Sequence, residues 1–142
     1  MIFDHNHYAP CLRWKQGEYQ AVLRLSPPTR RCITPLVEVP EIGWDFELAQ
    51  EAKSIDGHLD KFAARVREKW GGRRCFVDPK HIADHSRMAD GRHPVEFIFA
   101  ELRRKSCGAV PVTGLDRDKR YQHCMEKIVS RDNRGACVRA YL

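Results

Sequence analysis

Five short apolar runs, each closed by a polar or charged residue, constrain this chain more than any other feature. Residues 8–14 end at Lys15, 33–37 at Glu38, 74–77 at Asp78, 109–112 at Thr113 and 136–138 at Arg139. Stretches of helical period separate most of them. Strand–helix alternation of this kind builds a parallel sheet, and functional groups in such folds collect at the carboxyl ends of the strands. The expected architecture is therefore α/β, a single domain over residues 1–142. It is a parallel (β/α) repeat of about five strands, a half or truncated TIM-like barrel.

The segments between the runs can be read individually. Residues 17–25 read as a helix with Tyr19, Val22 and Leu25 inward, stopped by Ser26-Pro27-Pro28 because proline cannot continue a helix. Pro35 should mark a strand start or a bulge. Ser54-Ile55-Asp56-Gly57 reads as a loop. Residues 58–70 form a helix on the spacing of Leu59, Phe62, Ala63, Val66 and Trp70, ended by Gly71-Gly72. Residues 79–92 are a polar loop directly after a strand end. His93-Pro94 opens a helix that buries Val95, Ile98, Phe99 and Leu102. Asp116 is the expected N-cap of a helix over 117–129 that buries Cys124, Met125, Ile128 and Val129. Residues 132–135 form a turn, and a last strand runs over 136–142. An apolar strand with nothing after it suggests a chain cut short or an element completed by another subunit.

Hydrophobic residues at 42% and charged residues at 31% are ordinary for a globular protein, and 142 residues suffice for a real core. No run approaches the roughly 20 apolar residues of a membrane span. Residues 1–7 carry neither a basic flank nor an apolar signal core, so the expected location is cytoplasmic. A net charge of +6 suits nucleic acid or another polyanion, although the basic residues form no single stripe. The six cysteines contain no C-x-x-C pair, which argues against a zinc ribbon. Cys11, Cys32, Cys75 and Cys137 fall in expected strands and read as reduced core thiols. Trp14 reads as core, and His5 and His7 as part of a frayed terminus. His81 and His85 have helical spacing but sit in loop-like sequence, which makes a metal pair a weak reading.

The strings Tyr8-Ala9-Pro10-Cys11-Leu12-Arg13-Trp14-Lys15-Gln16-Gly17-Glu18-Tyr19-Gln20-Ala21 and Ile33-Thr34-Pro35-Leu36-Val37-Glu38-Val39-Pro40 resemble the opening blocks of the phage-type beta protein family. Phe76-Val77-Asp78, Pro111-Val112-Thr113-Gly114 and Gly135-Ala136-Cys137-Val138-Arg139 resemble its later blocks, in the same order. The resemblance spans essentially the whole chain. It implies a (β/α)-barrel-like fold and a place in phages, prophages or mobile and defence-associated loci, in members usually more than twice this length. It implies no particular activity.

If the strand ends converge, Glu38 and Asp78 could hold a divalent cation such as Mg2+ or share acid–base work. Lys15 and Arg139 would bind an anionic group, with Thr113 ahead of phosphate-suited backbone amides. The bland alternative is a structural salt bridge from Glu38 to Lys15 or Arg139. Three functional readings follow. The first is a binding or regulatory component, in defence or counter-defence, with an anionic-ligand site at the strand ends. The second is a metal-dependent phosphodiester or phosphoryl hydrolase with Glu38 and Asp78 as catalytic and metal-binding carboxylates. The third is a structural fragment. The expected partners are a second copy or another protein that completes the barrel, with nucleic acid as a further candidate.

Overall fold

The structure is a computed structural model that describes residues 3–141. Five parallel strands form one sheet in chain order: β1 (Cys11–Arg13), β2 (Leu36–Glu38), β5 (Arg74–Asp78), β6 (Gly108–Thr113) and β7 (Cys137–Val138). The α/β expectation holds. The barrel is not closed: β1 and β7 are the two edges of the sheet. Pro35 immediately precedes β2, where its missing N–H interrupts no ladder bond within the strand. The last strand is only two residues long, and Leu142, its expected final residue, lies outside the described residues. Met1 and Ile2 of the expected N-terminal segment lie outside them too.

Four longer helices pack together: α1 (Gln16–Leu23), α4 (Phe62–Lys69), α5 (Pro94–Arg104) and α6 (Lys119–Asp132). Their apolar stripes meet alternate strand residues. Val37, Cys75, Val77 and Ala109 join Val66, Trp70, Ile98, Phe99, Leu102 and Ile128 in one cluster. Val110 and Val112 are buried but lie outside that cluster, as the two-residue period of a strand requires of residues on the opposite face. Trp14 belongs to the core as expected.

Several local expectations change. Ser26-Pro27-Pro28 does more than end α1. Ser26 caps a second short helix, α2 (Pro27–Arg31), whose first turn tolerates the prolines because those N–H groups have no intrahelical partner. Ser54 likewise caps α3 (Ile55–Leu59) by accepting a bond from Gly57 N, so the supposed loop is a helix start and the single helix over 58–70 becomes two. An antiparallel hairpin of β3 (Trp44–Asp45) and β4 (Gln50–Glu51) lies between β2 and α3. Of the four cysteines read as core, only Cys75 is fully buried. Cys11 and Cys32 are exposed and Cys137 is partly buried, because β1 and β7 are edges and Cys32 caps α2. Cys107 and Cys124 are the other buried thiols, and all six cysteines are unpaired.

The cap of α6 is Asp118 rather than Asp116: its Oδ1 accepts from Tyr121 N at 2.7 Å. Asp118→Ala is expected to cost about 1 kcal/mol, and Asp116→Ala much less, both read from urea unfolding.

Candidate arginine–carboxylate site

Strand register explains which side chains meet. Arg13 pairs with Glu38 across β1 and β2, and Glu38 with Asp78 across β2 and β5. These three residues form one row across the carboxyl ends of the strands, on one face of the sheet. Arg139 follows β7, where its N–H donates to Thr113 O at 2.8 Å. From there its side chain reaches back over the row.

One nitrogen joins the two acids. Arg139 Nη1 donates to Glu38 Oε1 at 2.5 Å and to Asp78 Oδ2 at 3.1 Å. Asp78 is fully buried and receives a second guanidinium as a two-pronged pair, Arg117 Nη1 to Oδ1 and Nη2 to Oδ2, each at 3.1 Å. Lys80 N also donates to Asp78 Oδ1, at 3.0 Å. On the other side, His81 Nε2 lies 3.1 Å from Glu38 Oε2 and 3.0 Å from Arg13 Nη2. That nitrogen accepts from the guanidinium when bare and donates to the carboxylate when protonated. Burial would raise the Glu38 carboxyl, but the hydrogen bonds from Arg139 and His81 outweigh it and hold the group at about 2. The bond to Glu38 pushes Arg139 further above its already high range.

Three guanidiniums therefore face two buried carboxylates. Outer acids also touch them: Glu41 Oε1 is 3.4 Å from Arg13 Nη1 and Asp116 Oδ1 is 3.3 Å from Arg117 Nε. Those acids are about half exposed, so solvent weakens their pull. Beside the row, Lys80 Nζ contacts the Tyr141 hydroxyl, and both Lys80 and Arg139 stand over the Tyr141 ring.

A model of the family described as "Beta protein" matches residues 8–141. The chain belongs to the Beta protein family. No curated protein and no solved structure matches it. In this Beta protein chain, Glu38, Asp78 and Arg139 come together, whereas Lys15 and Thr113 do not join them. Lys15 pairs with Glu41 at 3.6 Å, and Thr113 Oγ1 donates to Gln122 Oε1 at 2.8 Å. All four oxygens of Glu38 and Asp78 already face nitrogen atoms, so a cation would have to displace an arginine or His81 to reach them. Among the described residues, no three His, Cys, Asp or Glu are grouped to hold a metal ion. No helix of the described residues is long and apolar enough to cross a membrane.

Arg13, His81 and Arg117 are the residues that run-end counting misses. Alternation would have found Arg13, which shares the parity of Glu38 and Asp78 while Trp14, next to it, turns into the helix-side core. Arg117 and His81 sit in loops a few residues past β6 and β5, and only the folded chain brings them in.

Proposed function

We propose that this protein is a non-catalytic binding component, of phage or mobile-element type, whose ligand is an anion held at the carboxyl ends of the strands. The observation that carries the reading is Arg139, a partly exposed guanidinium fixed in place by two buried carboxylates. In this reading Glu38 and Asp78 orient arginines instead of ligating a metal, and Arg13, Arg139 and Lys80 present the remaining donors. Arginine held rigidly loses little freedom when it grips a phosphate or carboxylate through parallel bonds. Family membership supports a phage-related setting, and the excess of basic residues supports an anionic partner.

The test is calorimetric titration with pyrophosphate as probe. Arg139→Gln and Arg13→Gln are each expected to weaken binding about tenfold or more, the worth of one charge-assisted hydrogen bond. Equal affinity in wild type and both variants sinks the reading. Turnover of a phosphodiester that required Mg2+ and vanished in Asp78→Asn would favour the hydrolase reading instead.

A further inference from the structure

The hairpin of β3 and β4 stands at the carboxyl end of the sheet, in the connection from β2 to α3. It shows solvent three large apolar side chains within five residues: Trp44 is 53% exposed, Phe46 87% and Leu48 67%. Single exposed apolar residues are ordinary, but three on one turn mark a contact surface. The turn holds them out. Asp45 Oδ1 accepts from Glu47 N and Leu48 N, each at 3.0 Å, and Ala52 N donates to Gly43 O at 2.8 Å.

Charge narrows what the hairpin can meet. From Glu41 to Glu51 the chain has four carboxylates and no basic residue, although the whole protein has a net charge of +6. Glu41 pairs with Arg13 and Lys15. Among the described residues, Glu47 and Glu51 have no cationic partner. An apolar tip set among acids is repelled by phosphate-rich surfaces, nucleic acid and anionic lipid alike. It fits a cationic protein surface with an apolar floor.

This chain carries such a surface at its other end. A recess of about 520 Å3 opens where α2, the end of α4 and the start of β5 meet. Arg30, Arg31, Arg73 and Arg74 line it around Ile33 and Trp70, and no carboxylate is among its lining residues. Arg30 is committed: it donates to the carbonyls of Val22 and Lys69 and lies over the Trp70 ring at 5.5 Å. Arg31, Arg73 and Arg74 are exposed and, among the described residues, have no acidic partner. A helix C-terminus accounts for Arg31, but Arg73 and Arg74 lie in a loop and at a strand start. Ile33 precedes β2 and Arg74 begins β5, so the recess lies at the amino ends of the strands. A molecule's own hairpin stands at the opposite end.

We propose that the hairpin of one molecule docks in the arginine recess of a second copy. Trp44 and Phe46 would lie against Ile33 and the arginine stems, with Glu47 and Glu51 facing Arg31, Arg73 and Arg74. Unpaired acids meet unpaired arginines, and apolar side chains leave water on both partners. The two surfaces differ, so the contact is head to tail and leads to a ring or an open chain rather than a two-fold pair.

Sedimentation velocity over a range of protein concentrations tests this. The wild type is expected to gain mass with concentration at low salt, and the association should weaken at about 0.5 M salt, where exposed charges are screened. Trp44→Ser with Phe46→Ser changes the hairpin alone, and Arg73→Glu with Arg74→Glu the recess alone. Each pair of changes should weaken self-association at least about tenfold. Mixed, the two variants should form a species of two chains and no larger, because one intact hairpin meets one intact recess. Glu47→Lys with Glu51→Lys should also fail to assemble alone, and mixing it with the recess variant should restore assembly beyond two chains. A wild type that stays monomeric at every concentration overturns the proposal. So does a mixture of variants with no two-chain species. A recess variant that assembles like the wild type overturns it too, since the hairpins would then meet each other.

Discussion

Asp78→Ala is expected to lower the unfolding free energy by about 3–5 kcal/mol, the cost of breaking a buried ion pair by deleting one partner. Asp78 is fully buried, and Arg117, whose side chain is 6% exposed, has both terminal nitrogens on it. Without the carboxylate, Arg117 is left charged and enclosed, and Arg139 loses one of its two anchors. Urea unfolding monitored by circular dichroism measures the loss. Adding Arg117→Ala to Asp78→Ala should recover part of it, because the stranded charge leaves with the side chain. A cost below about 1 kcal/mol for Asp78→Ala would put this network with ordinary surface pairs.

Acid is the second large effect. Glu38 is held at about 2 against an ordinary 4.5. A carboxyl depressed by folding takes up protons more readily in the unfolded chain, so its stabilisation is complete above the ordinary carboxylate range and disappears as pH falls through about 2. The shift corresponds to about 3 kcal/mol across that window, since the side chain is only 9% exposed. Stability measured against pH should fall steeply in this range for the wild type. Glu38→Gln should be less stable near neutrality and flatter with acid. Parallel curves for the two proteins would show that Glu38 is not the group responsible.

Much of this arrangement could be read from the chain before folding. Apolar runs followed by Glu38 and Asp78 specify parallel strands with acids at their ends, because strand length and alternation are local properties. Arg139 follows from the same rule. Lys15 falls outside the row because the apolar run continues through Trp14, which faces the helices, while the strand itself ends at Arg13, two residues before Lys15. The capping serines are hard to read: Ser26 is followed by two prolines and Ser54 stands in a Ser-Ile-Asp-Gly string, so each helix start resembles a turn. The contributions of His81 and Arg117 depend on how the loops after β5 and β6 fold over the carboxyl ends of the strands. No spacing rule reaches that far.

The bridge made by Arg139 also bears on the order in which the molecule assembles. Its two anchors lie 101 and 61 residues earlier in the chain. Contacts of such long range form after large loops have closed. As the polypeptide leaves the ribosome, Glu38 and Asp78 emerge well before their shared counter-ion is synthesised. An intermediate containing only the first strands therefore has Arg13 and His81 beside Glu38 and the Lys80 N–H beside Asp78, but lacks the guanidinium that ties the two acids together. The row of arginines and acids is then complete only once the last strand is in place.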